Sequence, residues 1–151
     1  MPTSMPPITR LIILANVAVF VLELSGGAPF LARFALWPIG ANFAPWQVLT
    51  YAFLHSSPGH IFFNMFAVYM FGGQMERVWG ARRFAIYYAV CVMSAAVAQL
   101  IVCELMGSRQ PTLGASGGVF GLLLAFALYF PRRRIVLLIP PIPMPAWLFV
   151  T

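Results

Sequence analysis

The chain has 151 residues, of which 62% are hydrophobic and only 8% are charged. That charged fraction is about a third of the value typical of soluble domains, so the composition excludes an ordinary water-soluble protein. The net charge is +6, and all nine basic residues are arginines that lie in short gaps between long apolar stretches. Nucleic-acid-binding proteins instead gather basic residues on a polar face. Composition therefore predicts a polytopic, all-α membrane protein whose surroundings are a lipid bilayer, and no nucleic-acid partner.

The apolar stretches predict four complete membrane spans, at residues 9–24, 59–73, 83–105 and 116–130, and the start of a fifth near Pro145. Residues 34–58 are also uncharged but are rich in proline, glycine and polar side chains, which predicts a loop at the membrane interface. The fourth span would be only about 22 Å long at 1.5 Å per residue. Because the hydrocarbon core is about 30 Å thick, one end of this helix must lie inside the bilayer, sheltered by protein or water.

The arginines predict the topology. Seven lie on the side of the N-terminus and two, Arg33 and Arg109, on the opposite side, and this positive-inside bias predicts a cytoplasmic N-terminus. Residues 1–10 and the apolar run after them also resemble a signal peptide. No small-residue cleavage site follows before Glu23, so a signal anchor fits the sequence better.

Three polar residues lie at the start of predicted spans. His60 and Asn64 are four residues apart and therefore share one helical face, and Ser116 begins the fourth span between glycines. Both spans start at the outer side of the membrane, so the three side chains are expected at a similar depth. Polar residues inside a membrane are costly, and this placement is typical of a functional site.

The three residues suit acyl transfer. N–H groups in the first turn of a helix lack intrahelical partners, and the helix dipole favours negative charge there. Side-chain donors from His60 and Asn64 would each stabilise an oxyanion by about 3 kcal/mol in the transition state. Ser116 is then the candidate nucleophile. The small-residue pairs at this helix allow close helix packing; the supporting glycines are Gly114, Gly117, Gly118 and Gly121.

Other readings of these motifs remain open. Gly-Ala-Ser-Gly-Gly alone is more often a packing motif than a nucleophile, and a Gly-x-Ser-x-Gly nucleophile elbow requires a preceding strand, which the sequence does not predict. His60 and Asn64 could each be interhelical hydrogen-bond partners. Cys91 and Cys103 fall in one apolar stretch, where they are interpreted as small buried hydrophobes. We expect no cofactor and no metal site.

Together these motifs resemble the rhomboid intramembrane serine proteases. The resemblance rests on residues 45–64, with histidines at His55 and His60 and an asparagine at Asn64, on Gly72-Gly73 and Glu76-Arg77, and on residues 114–117. It implies that Ser116 is the nucleophile, that His60 and Asn64 form the oxyanion hole and that His55 is structural. It also implies a six-helix membrane domain that cleaves transmembrane segments of membrane proteins, with a short fourth helix beginning at a water-filled cavity.

One departure from that family pattern concerns the general base, which rhomboids take from a histidine on the sixth helix. The histidines here are His55 and His60, and a serine is a weak nucleophile without an adjacent base. We therefore expect residues 1–151 to form one rhomboid-like domain that is incomplete at its C-terminus and, as given, catalytically incomplete. The alternative is a non-catalytic rhomboid-like protein that binds client transmembrane helices. A bacterial inner membrane is the expected location.

Overall fold

The computed structural model describes residues 4–136 and 143–145. A 3₁₀ turn, Tyr51–Phe53, follows the second helix, and a π-helical segment, Val68–Gly72, joins the third helix to the fourth. Two three-residue strands pair antiparallel after the last helix. The helices are α1 (Pro7–Phe34), α2 (Gln47–Thr50), α3 (Pro58–Ala67), α4 (Gly73–Trp79), α5 (Ala81–Met106) and α6 (Ser116–Tyr129), and the strands are β1 (Arg134–Val136) and β2 (Pro143–Pro145).

The described residues are mostly helical, as predicted, although the β1–β2 hairpin departs from an all-α fold. Helices α5 and α6 begin and end within two residues of the third and fourth predicted spans. By length and composition, α1 and α5 can cross a membrane, whereas α6 is apolar but shorter. Pro145 is the last residue of β2, and the remainder of the predicted fifth helix lies outside the described residues.

The first helix continues ten residues beyond its predicted end. The backbone breaks at Gly27, three residues after the predicted end at Leu24, with φ 58° and ψ −148°. The helix resumes after this break and continues to Phe34. Pro29 is compatible with this restart, because proline is tolerated in the first turn of a helical segment, where its missing N–H would have no partner.

The second predicted span is also too short. Helix α3, the π-helical segment and α4 form one continuous path from Pro58 to Trp79, six residues beyond the predicted end at Gly73. Glu76 consequently lies within the helical path and is buried. The path ends at Gly80, whose φ of 79° is a left-handed value that glycine adopts without strain.

The core lies between α6, α5 and the middle of the α3–α4 path. Phe84 and Leu122 are fully buried there, and both would contact a Cβ on Gly72 at 3.2 to 3.3 Å. The outward faces of the helices instead expose large apolar side chains such as Phe62, Phe120 and Leu128. An exterior of this kind suits lipid rather than water as the surrounding solvent.

The carboxylate of Glu76 holds the start of α1. It accepts the backbone N–H groups of Ile8 and Thr9 at 2.9 and 2.7 Å and the Thr9 hydroxyl at 2.8 Å. The first N–H groups of a helix have no acceptor within the helix, and a negative charge at this end is favoured by the helix dipole. A side chain from α4 therefore caps α1 across the bundle.

Replacing Glu76 is expected to destabilise the fold strongly. Glu76→Ala leaves two N–H groups and a hydroxyl buried without an acceptor, which should lower the free energy of unfolding by about 3 kcal/mol. The control is Glu104→Ala, because Glu104 is exposed near the end of α5 and its loss should cost less than about 0.5 kcal/mol. Thermal unfolding in detergent micelles measures both variants; equal losses would contradict the capping role.

Candidate active site

The three predicted site residues lie at the starts of two helices that contact each other. His60 and Asn64 are in the first two turns of α3, and Ser116 is the first residue of α6. Ser57 caps α3, since its hydroxyl oxygen accepts the backbone N–H of His60 at 3.1 Å. Asn64 is buried, while His60 and Ser116 are partly exposed.

His60 and Ser116 both lie close to Gly114. A Cβ on Gly114 would lie 2.9 Å from Nε2 of His60 and 3.8 Å from Oγ of Ser116. Both functional atoms are therefore within 4 Å of the point that a side chain at Gly114 would occupy. The backbone at Gly114 has a φ of 125°, a value that side-chain-bearing residues rarely adopt. Glycine is required here both by conformation and by space.

Backbone hydrogen bonds fix the segment that leads into α6. The N–H of Gly114 donates to the carbonyl of Tyr51 at 2.9 Å, and Leu36 and Thr112 exchange two hydrogen bonds in an isolated β-bridge. The hydroxyl of Tyr51 donates to the Val92 carbonyl at 2.7 Å, and burial raises the pKa of Tyr51 to about 12, so the hydroxyl keeps its proton. The loop after α1, the 3₁₀ turn and α5 thus hold the start of α6 together.

Among the described residues, N–H groups without a hydrogen-bond partner occur near the starts of α3 and α6. The amide nitrogen Nδ2 of Asn64 is buried and has no hydrogen-bond partner within residues 4–136 and 143–145. Val119 donates the first backbone bond of α6, to Ala115, so the N–H groups before Val119 lie in the first turn, where no intrahelical acceptor exists. Helix α6 also begins without a side-chain cap. Its N-terminus is therefore open to an anionic group.

The predicted packing glycines bring α6 against α5 at van der Waals contact. A Cβ on Gly117 would collide with the Cβ of Ala95, and one on Gly121 would collide with Sγ of Cys91. A Cβ on Gly118 would meet the Tyr88 ring at 2.5 Å. The face that these glycines form is turned towards α5, and none of the three positions has room for a Cβ without a shift of α5.

The sequence reasoning missed one residue near the site. Glu23 was interpreted as lying near the end of a span, but α1 continues past it and its carboxylate is buried, accepting the backbone N–H of His55 at 3.0 Å. The available signal was an ionisable side chain within an apolar stretch. His55 itself is buried, and burial together with the neighbouring His60 lowers the pKa of His55 to about 4, so its ring is neutral.

The side chains at this site offer a hydroxyl and N–H donors. Within residues 4–136 and 143–145, no group of three His, Cys, Asp or Glu side chains is arranged to hold a metal ion. A serine hydroxyl and a histidine ring nitrogen within 4 Å of one point, at an open helix N-terminus, form an arrangement suited to a developing oxyanion.

The fold and the site together define a helical membrane protein with a polar serine site at the start of a short apolar helix. Residues 42–151 match the Rhomboid domain. Because this match covers well over half of the chain, the chain belongs to the rhomboid family.

Relatives come from both eukaryotes and bacteria. Rhomboid protein 1, mitochondrial, of Saccharomyces cerevisiae is 32% identical over 135 residues, which are 87% of this chain and 39% of the relative. Rhomboid protease GlpG of Klebsiella pneumoniae is 30% identical over 123 residues, 80% of this chain and 42% of the relative. Rhomboid protease GluP of Bacillus subtilis is 29% identical over 124 residues, which are 78% of this chain and 24% of the relative. The chain spans less than half the length of each.

Gly114→Ala is expected to disrupt the site and lower stability. The new Cβ must displace the His60 ring and hold an alanine at a φ of 125°, which should cost about 1 to 3 kcal/mol in unfolding free energy. Gly59→Ala is the matched control, because no atom lies within 4 Å of a Cβ there and alanine suits a helix better than glycine. Denaturation in micelles compares the two; a Gly114→Ala variant as stable as Gly59→Ala would contradict the geometry.

Proposed function

We propose that this protein is an intramembrane serine endopeptidase that cleaves the transmembrane segments of membrane proteins. The observation that supports the proposal is the space beside Gly114, where Oγ of Ser116 and Nε2 of His60 both lie within 4 Å of one point. Membership of the rhomboid family and relatives named as rhomboid proteases support the same activity. The substrates are membrane proteins that present a transmembrane helix within the bilayer.

In the proposed reaction, Oγ of Ser116 attacks the carbonyl carbon of the scissile peptide bond. A C–O bond forms, the hydroxyl proton passes to a general base, and the carbonyl oxygen becomes an oxyanion. Nε2 of His60, Nδ2 of Asn64 and the N–H groups of the first turn of α6 stabilise that charge. The C–N bond then breaks, the amine leaves with the proton, and water hydrolyses the acyl-enzyme.

The general base in this proposal is a histidine outside residues 1–151. His55 is unsuited to the role, because it is buried and its Nδ1 lies 3.3 Å from the Phe53 carbonyl oxygen. His60 presents its Nε2 to the site as an oxyanion donor. Without an adjacent base a serine hydroxyl remains a weak nucleophile, so the proposed reaction depends on this histidine.

The proposed topology is multi-pass with a cytoplasmic N-terminus, in a bacterial inner membrane. At one end, Arg77 contacts the carbonyl of Ser4, and Arg133 donates to Gln74. At the other end, Arg109 lies near Gly40 and Arg33 lies in the last turn of α1. The arginine-rich end thus includes the N-terminus, in agreement with the positive-inside rule. Four spans then cross the bilayer, and Ser116 lies below the outer surface.

Ser116→Ala is expected to abolish cleavage by the full-length protein, because it removes the attacking oxygen and little volume. The assay is proteolysis of a single-span membrane protein in liposomes, together with labelling by a fluorophosphonate. The control is Ser25→Ala, since Ser25 is exposed on α1 and its hydroxyl donates to the Val21 carbonyl of the same helix; this variant should retain the wild-type rate.

Cleavage by Ser116→Ala at the wild-type rate would overturn the nucleophile assignment. A full-length wild-type protein that neither cleaves nor reacts with the fluorophosphonate, yet retains a transmembrane client, would favour the non-catalytic alternative. These two outcomes are distinct, because the first leaves an enzyme with another nucleophile and the second leaves no enzyme.

His60→Ala and Asn64→Ala should each lower kcat by about a hundredfold or more per folded molecule, because each deletes one donor to the oxyanion. Asn16→Ala is the control for Asn64→Ala: Asn16 is also buried, and its amide donates to the Ile12 carbonyl within α1. It should change stability but not kcat. If activity fell only in proportion to the loss of folded protein, the residue concerned would be structural.

A further inference from the structure

The loop before α3 brings another serine against the His60 ring. The backbone N–H of Ser56 donates to Nδ1 of His60 at 3.4 Å, and the Ser56 hydroxyl oxygen lies 3.1 Å from the same nitrogen. A backbone N–H can only donate, so Nδ1 must be the acceptor. A hydroxyl can donate or accept, and next to an accepting Nδ1 it donates.

This contact determines which nitrogen of His60 carries the proton. A neutral imidazole has one N–H, and the hydrogen bond at one nitrogen fixes the state of the other. With Nδ1 accepting, the proton lies on Nε2. Nε2 is the atom that faces the space shared with Ser116 beside Gly114. The ring therefore offers an N–H donor to that space and not a lone pair.

The neighbouring His55 is held in the opposite tautomer. Its Nδ1 lies 3.3 Å from the carbonyl oxygen of Phe53, which can only accept, so Nδ1 carries the proton. Its Nε2 is buried without a partner in the part of the chain that the structure describes. The two rings meet edge to face, with centroids 5.0 Å apart. His55 and His60 therefore have different hydrogen-bonding roles.

We propose that Ser56 is a positioning residue that keeps His60 in the Nε2–H tautomer, and so makes His60 an oxyanion donor and prevents it from acting as the general base. This inference rests on the proposed function. Ser56 acts through His60, not on the substrate. The adjacent Ser57 has a different task, because its hydroxyl binds the His60 backbone N–H and caps α3.

The test exchanges the donor at position 56 for an acceptor. Ser56→Asp places a carboxylate, which only accepts, next to Nδ1 and should move the proton there, whereas Ser56→Thr keeps the hydroxyl. The readout is the ¹⁵N chemical shift of each ring nitrogen in full-length protein labelled with ¹⁵N-histidine, with the His60 signals assigned by their loss in His60→Ala. Wild type, Ser56→Thr and the control Ser57→Ala should show an unprotonated Nδ1, and Ser56→Asp a protonated one.

Kinetics supply the second readout. Rates of all variants are compared at the same pH. Ser56→Ala should lower kcat about threefold to tenfold, the effect of one hydrogen bond. Ser56→Asp should lower kcat about a hundredfold, as deletion of an oxyanion donor does. KM should stay unchanged in both, and Ser56→Thr should restore the wild-type kcat.

A protonated Nδ1 at His60 in the wild type would overturn the inference. So would a Ser56→Asp variant whose ring shifts match the wild type, or variants that raise KM alone, since Ser56 would then contact substrate. The tautomer is measured without turnover. Retained cleavage by Ser116→Ala would therefore refute the proposed function separately, whatever the tautomer of His60.

Discussion

The missing side chains on one face of α6 decide how near the other helices can come to it. Gly117 and Gly121 leave room for Ala95 and Cys91 of α5, and Gly114 leaves room for the His60 ring. Each of these contacts would be a collision if a Cβ were present, so α6 cannot approach its neighbours in this way with any other residue at those positions. The distance between Ser116 and His60 depends on that approach.

Buried carboxylates hold the bundle together by accepting main-chain N–H groups. Glu76 binds the start of α1, and Glu23 binds the main chain at His55. Water is scarce in such surroundings, so an unmatched N–H or carboxylate is costly there. The two glutamates therefore connect α1 to both ends of the α3–α4 path, one end of which carries His60 and Asn64.

The sequence predicted well the helices whose ends are set by neighbouring residues. Helix α5 ends at Met106, next to Gly107 with its left-handed backbone, and α6 begins at Ser116 within the glycine-rich segment; both limits were predicted within two residues. The length of α1 was underestimated, because the predicted span ends at Leu24 whereas the helix resumes after a break at Gly27 and continues to Phe34. That continuation lets the loop after α1 reach Thr112, a contact between distant segments that no local pattern contains.

The sequence by itself determined the membrane class, the family resemblance and the candidate residues Ser116, His60 and Asn64, because composition, helical spacing and motifs are properties of neighbouring residues. The tertiary structure decided which atoms face one another. In the structure, Nε2 of His60 lies beside the space at Gly114 and Nδ1 of the same ring contacts Ser56. The carboxylate of Glu23 accepts the backbone N–H of His55. The contacts at Gly114 and Glu23 join segments that are distant in the sequence. Their geometry depends on how the helices pack, which no local pattern contains.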